Sequence, residues 1–215
     1  EQLNADYQPV WVDRSRAEHQ QDAYRRLNPQ GLLPVLVDAD TVVFETAAIA
    51  LYLSEKHLSL APGVKGSAQR SRFLQWLFYL SNTLHADLRV QFYPHRHVSD
   101  PTAITPLLEG TQQRIEAHLQ LIDEQLASSR EGPWFLGAEL SILDFYLGAL
   151  CRWATLYPLG NALAQDYVAT LPRLSQLLSA LESLPSVARA LEASQIHPPY
   201  FLAPRPPTLP KEQVC

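Results

Sequence analysis

The residues in this chain best placed to do chemistry are an acid and a hydroxyl side by side, Glu45-Thr46, and a proline upstream of them, Pro34, preceded by Leu33. Glu45 and Thr46 stand where an apolar run gives way to a helical pattern. A helix start leaves backbone N–H groups unpaired and carries partial positive charge, which suits a ligand carboxylate. The Thr46 hydroxyl adds a hydrogen bond to that carboxylate, and the Glu45 carboxylate holds a ligand ammonium, so the two form a clamp for an α-amino acid. Pro34 cannot donate a ladder hydrogen bond. A cis Leu33–Pro34 bond would turn the N–H and C=O of Leu33 outward to pair with an extended, peptide-like ligand. The same spacing suits an edge-strand proline and a plain helix cap, and spacing by itself favours that plainer pair of roles.

Positioning these groups takes a strand, a tight turn, a second strand and a helix, and Asn28 to His57 reads in that order. Leu33 to Asp38 is a short apolar run rich in Val and Leu, with the length and composition of a buried strand. Asp38-Ala39-Asp40-Thr41 is turn chemistry, and Val42-Val43-Phe44 follows closely enough to pair antiparallel with the first run. From Thr46 the period changes to a helical one, with Ile49, Tyr52 and Leu53 recurring among alanines.

The segment NPQGLLPVLVD…FETAAIALYLSEKH resembles the glutathione-binding half of the thioredoxin-like domain of glutathione S-transferases of the bacterial cytosolic type. That family carries N-P-x-G-x-[VL]-P-x-L, then [ED]-[ST]-x-A-I-x-x-Y-L. The resemblance implies an α/β thioredoxin-like N-terminal domain with a mixed sheet, followed by an all-α helical bundle domain. It implies glutathione as co-substrate and no metal. Leu33 would pair by its backbone with the cysteinyl part beside a cis Pro34, and Glu45 and Thr46 would hold the γ-glutamyl end. It further implies a homodimer that conjugates the thiolate to an electrophilic small molecule, as in detoxification. One position departs from the pattern: Leu32 stands where relatives often have a Lys or Gln reaching the glycyl carboxylate. The resemblance reverses the balance set by spacing alone.

Composition narrows the alternatives. A chain of 215 residues with 47% hydrophobic and 18% charged residues is globular in character and able to bury a substantial core. A net charge of −5 offers no footprint for nucleic acid. No uncharged apolar run is long enough to span a membrane, since the most apolar stretch, Ile142 to Leu150, is interrupted by Asp144 and followed by Arg152. Two cysteines, Cys151 and Cys215, lie far apart, so a disulfide framework is not expected and a reducing cytoplasm is the default.

Before the central unit the expected elements are the tail of a helix over Glu1 to Asp6, a strand over Tyr7 to Asp13, and a helix over Ala17 to Leu27 ended by Asn28-Pro29. In the thioredoxin-like pattern the proline-headed strand comes third, after strand, helix, strand, helix. One strand and most of one helix, about 15–20 residues at typical lengths, are therefore expected upstream of Glu1. The family's sulfur-activating Tyr, Ser or Cys would lie there, so no catalytic residue is assigned, and Tyr7 is expected to be a packing residue. The chain has no methionine and opens with Glu1, which fits either a truncated start or selenomethionines left unwritten.

After it, the expected division is a glutathione-binding domain over 1–58, a linker over 59–66, a helical domain over 67–200 and a proline-rich tail over 201–215. Ser67 to Tyr93 reads as one long helix with Phe73, Trp76, Leu77, Leu80, Leu84, Leu88 and Phe92 on a broad face. In the resembled family this helix lines the electrophile cleft, which implies His85, Arg89 and Tyr93 as candidate lining residues. Leu84 to Val90 also resembles a segment of maleylacetoacetate isomerases, without selecting that reaction. Asp100-Pro101 starts the next helix, along which Ile115, Leu119, Ile122 and Leu126 step apolar. Ser141 and Asp144 form a capping box flanked by Leu140 and Phe145, within the family's F-L-G-x-x-x-[ST]-x-x-D pattern, so Asp144 is expected to be structural. Two closing helices are punctuated by Leu171-Pro172 and Leu184-Pro185. His95 and His97 have no ligating neighbours at metal spacing and read as a solvated loop. Besides conjugation, a non-catalytic module of the same fold, a glutathione-dependent isomerase and a thiol–disulfide oxidoreductase are the readings left open.

Overall fold

Val35–Asp38 (β1) and Thr41–Phe44 (β2) form an antiparallel hairpin in which Val35 faces Phe44 and Asp38 faces Thr41, with Ala39 in the left-handed region at the turn. The computed structural model describes residues 1–128, 131–158, 162–164 and 166–206. Thr46–Lys56 (α2) follows the hairpin, and its Ala47 and Leu51 pack on the main core. Its last turn is fastened back to β1, where Asp38 accepts from Tyr52 Oη at 2.8 Å and pairs with Lys56. These contacts set the angle at which the N-terminus of α2 meets the loop before β1.

Upstream of the hairpin the structure departs from expectation. Glu1 to Asp6 is a turn with Asn4 in the left-handed region; Glu1 pairs with Arg189, and Gln2 accepts from Ser186. Tyr7 to Asp13 does not pair as a strand: Val10 and Trp11 are 80% and 78% exposed and meet no sheet edge. Strand-forming composition needs a partner to become a strand. Ala17 to Leu27 breaks into a 3-10 turn, Glu18–Gln20, and one helical turn, Asp22–Arg25 (α1). Left-handed backbone at Ala17 precedes the first piece, extended backbone at Gln21 separates the two, and neither buries a side chain that would hold a longer helix together.

The helical part begins with Ala68–Tyr79 (α3), capped by Ser67 accepting from the Arg70 N–H at 3.1 Å. A π turn at Leu80–Leu84 joins it to His85–Phe92 (α4), so the expected long helix forms with one widened turn. Its cause is visible in the spacing. Leu80, Leu84 and Leu88 recur every fourth residue, and steps of four overshoot an α-helical turn by about 40° each. A turn with more residues takes up the overshoot and keeps all three buried. Asp100 caps a 3-10 turn by accepting from the Thr102 N–H at 2.9 Å, and Ile104–Ser128 (α5) runs on from it with Ile115, Leu119, Ile122 and Leu126 buried.

Ile142–Leu156 (α6) is the central helix, and its Ser141/Asp144 capping box is present. Asp144 accepts from the Ser141 N–H and the Phe135 N–H, each at 2.7 Å, and from the Ser141 hydroxyl at 3.0 Å. The carboxyl is fully buried, and desolvation pushes it up to about 6 against the pull of these donors. Pro172–Glu182 (α7) and Pro185–Glu192 (α8) close the bundle, with Leu174, Leu177, Leu178 and Leu181 buried on α7. Of the expected tail, residues 207–215, including Cys215, lie outside the described residues. No helix among the described residues is long and apolar enough to cross a membrane.

Candidate functional site

The loop from Asn28 to Leu33 builds the first half of the site. Asn28 is buried; its amide donates to the Leu32 carbonyl at 2.7 Å while its Oδ1 accepts from the Gln30 N–H at 3.1 Å. Tyr24 Oη donates to the same Leu32 carbonyl at 2.9 Å. Gly31 sits at φ +63°, and a Cβ there would lie 2.8 Å from the His19 carbonyl oxygen, so only glycine closes this turn without displacing its neighbours. With Leu32 held by two donors, the next peptide emerges at the surface. Leu33 is 45% exposed, its bond to Pro34 is cis, and its N–H and C=O have no hydrogen-bond partner among the described residues.

The second half is the start of α2. Glu45 is the residue before the helix and lies at φ 72°, ψ 120°, a region a non-glycine residue occupies at about 1–3 kcal/mol. Its exposed side chain accepts from Gln30 Nε2 at 3.1 Å, which ties the helix start to the Asn28 loop. The first helical bond runs from the Ile49 N–H to the Glu45 carbonyl at 2.9 Å. The N–H groups of Thr46, Ala47 and Ala48, and the Thr46 hydroxyl, have no partner among the described residues. Thr46 is thus the first helical residue and caps nothing, so the plain helix-cap role does not hold. Three unpaired N–H groups, a hydroxyl and a neighbouring carboxylate are the donor and acceptor set that an α-amino acid head requires.

Across from them lies the wall of the helical part. His85 directly follows the π turn, with its Nδ1 2.7 Å from Tyr146 Oη on α6 and the Trp153 ring edge-on at 5.2 Å. Burial holds His85 below its ordinary value; the Arg89 charge lowers it further and the Glu45 charge opposes. Burial also pushes the Tyr146 hydroxyl up to about 12, with a Ser81 hydrogen bond opposing and Glu45 adding. Tyr93 lies at the far end of α4, where its hydroxyl accepts from Arg14 at 3.2 Å and the Arg96 guanidinium stands 4.1 Å from its ring centroid. Of the three expected lining residues, His85 meets Tyr146 on α6, Arg89 lies one turn further along α4, and Tyr93 is engaged with two arginines.

Several contributing residues escaped the sequence reading. Asn28 reads there as a helix stop and the head of the N-P-x-G motif, without its side-chain role in bracing Leu32, although Asn before Pro is also turn chemistry. Tyr24, Gln30 and Tyr146 carry no local signal. His95 and His97 are exposed, and no group of three or more His, Cys, Asp or Glu among the described residues is arranged to hold a metal.

Residues 1–56 match the sequence profile of the glutathione S-transferase N-terminal domain, and residues 105–180 that of the C-terminal domain. The chain is 36% identical to glutathione S-transferase F9 of Arabidopsis thaliana over 148 residues, covering 65% of this chain and 67% of that protein. It belongs to the glutathione S-transferase family. It is also 29% identical to the glutathione S-transferase GstA of Escherichia coli O157:H7, over 80% of this chain and 82% of that one. Among solved structures it resembles a glutathione transferase homolog from Sulfitobacter with bound glutathione, at TM-score 0.74 and 23% identity, covering 89% of this chain and 88% of the other. A family member from Pseudomonas fluorescens with two glutathione bound also matches at TM-score 0.74, with 21% identity over 89% of this chain and 84% of that one. These likenesses give the fold of this family member: a thioredoxin-like unit at the N-terminus followed by a helical bundle.

Proposed function

We propose that this family member binds glutathione with its γ-glutamyl head at the start of α2 and its cysteinyl peptide along Leu33, and conjugates the thiolate to an electrophilic small molecule held against α4 and α6. The observation that carries the reading is the unpaired first turn of α2 beside Glu45, facing a loop that presents the unpaired Leu33 peptide. The γ-glutamyl group is an α-amino acid, so its carboxylate suits the Thr46–Ala48 N–H groups and its ammonium suits Glu45. Glutathione bound in the Sulfitobacter and Pseudomonas fluorescens structures supports the same ligand here.

The nucleophile in such a transfer is the thiolate. The chain's own residues hold the tripeptide so that its sulfur faces the helical wall, which replaces a bimolecular encounter by a positioned one. No residue of the chain is assigned to sulfur activation. The same reading takes residues 1–58 as the glutathione-binding domain and 67–200 as the helical domain, with a cytoplasmic homodimer as the working form.

Titration calorimetry with glutathione tests the clamp. One site per chain is expected, and Thr46→Ala weakens binding by about 1–3 kcal/mol, the range for a hydrogen bond to a charged group. An unchanged dissociation constant would remove Thr46 from the site. Binding without turnover of any electrophile would favour a non-catalytic module of this fold.

A further inference from the structure

The π turn between α3 and α4 interrupts a helix whose backbone is right-handed helical on both sides of it. Its wide bond runs from the His85 N–H to the Leu80 carbonyl, five residues back. Such a turn holds one residue more than α geometry needs, so the helix has two registers open to it. Were the turn to relax, everything after it would shift against α3 by about 100° around the axis and about 1.5 Å along it. The buried leucines favour the observed register, but apolar burial is non-directional.

One cluster of polar side chains spans the turn. His118 on α5 meets Tyr79 Oη, on the last residue of α3, with its Nδ1 at 2.8 Å. Its Nε2 meets Asp87 Oδ2, in the first turn of α4, at 3.2 Å. Arg114, one turn earlier on α5, donates twice to the same carboxylate, at 3.0 Å each. A carboxylate paired in this way only accepts, so His118 carries its proton on Nε2 and its Nδ1 accepts from the Tyr79 hydroxyl. Eight residues separate Tyr79 from Asp87. In an unbroken α-helix they would point about 80° apart, because eight steps of 100° overshoot two turns by that much. The extra residue of the π turn brings the angle to about 20°, so both side chains face α5 and reach opposite nitrogens of one ring.

We propose that His118 is a positioning residue: by bonding both flanks of the π turn it selects the register of α4. That register places His85, the first residue of α4, with its Nδ1 2.7 Å from Tyr146 Oη and its ring 5.2 Å from that of Trp153 on α6. The selection is independent of what the cleft binds. Only its kinetic consequence rests on the thiol-transfer reading, which puts the electrophile against α4 and α6.

Amide exchange and imidazole NMR test it in the wild type, His118→Leu, His118→Gln and a chain lacking Asn82, the exposed residue of the π turn. In His118→Leu, exchange at residues 84–88 is expected to rise at least about tenfold beyond any rise in α6, and the His85 ring resonances to broaden or double. His118→Gln, whose amide can accept from Tyr79 and donate to Asp87, stays within about threefold of the wild type. Deleting Asn82 gives a straight helix already in the observed register, so adding His118→Leu to that chain moves neither readout. With benzyl bromide, His118→Leu lowers kcat by about 3- to 10-fold while the glutathione Kd is unchanged. Exchange that rises equally in α4, α5 and α6 marks a loss of overall stability and overturns the proposal. So do unchanged His85 resonances in His118→Leu, or the same local effect in the chain lacking Asn82. An unchanged kcat beside the NMR response overturns the positioning role. The full NMR response in a protein that turns over no electrophile supports the register selection and overturns the transfer reading alone.

Discussion

Replacing Asp144 by alanine probes the point on which the helical part is hung. The carboxylate accepts from the Phe135 N–H, the Ser141 N–H and the Ser141 hydroxyl at 2.7, 2.7 and 3.0 Å, and Phe135 and Ser141 are fully buried. Alanine leaves two buried N–H groups unpaired, each at about 1–3 kcal/mol, while the hydroxyl is free to rotate to another acceptor. Part of that loss is offset, because the buried carboxylate carries its own desolvation cost, seen in its rise to about 6. The net destabilisation is expected at about 2–4 kcal/mol, a fall in Tm of about 5–15 °C for a chain of this size. Urea unfolding followed by circular dichroism reads it as a lower midpoint at unchanged slope. A variant within about 0.5 kcal/mol of the wild type would refute the claim that these donors depend on Asp144.

Two further outcomes follow from the same structure. Burial pushes the Asp144 carboxyl up to about 6 from its ordinary value of 3.8, so the native state holds its proton more tightly than the unfolded chain. Its linkage contribution is fully present below about pH 4 and is lost as the pH rises through about 6. Urea midpoints of the wild type minus those of Asp144→Asn should fall over that window, and a difference that rises contradicts the assignment. Gly31→Ala places a Cβ 2.8 Å from the His19 carbonyl oxygen and forces φ +63° on an L residue. It is expected to lower stability by about 1–3 kcal/mol and weaken glutathione binding in calorimetry, because the displaced loop carries Leu33; retained affinity would separate that loop from the site.

The hairpin and α2 were legible because each is specified within a few residues: an apolar run, a turn, a second run, then an alanine-rich helical period. The buried stripe of α5 and the capping box before α6 were legible for the same reason. The first 27 residues were not. Their composition suits helix and strand, but the structure supplies no sheet edge for Tyr7 to Asp13 and no buried face for Ala17 to Leu27, and local propensity alone does not hold such short pieces. The site divides likewise. Leu33, Pro34, Glu45 and Thr46 belong to one contiguous motif, whereas the brace on Leu32 comes from Tyr24 and Asn28 side chains and the His85–Tyr146 contact from two helices far apart in sequence. No periodicity encodes those meetings. The π turn lay between the two cases: its four-residue leucine spacing was visible, but its meaning emerged only against the helix that had to absorb it.

The central claim is that the amino-acid head of glutathione sits on the first turn of α2 while its peptide runs along Leu33. Amide NMR during a glutathione titration tests this most directly, because the invoked groups are themselves N–H donors. The account predicts the largest saturable shifts at Leu33, Thr46, Ala47 and Ala48, reached together with one dissociation constant. Shifts confined to other elements, with those four amides unmoved at saturation, would contradict it.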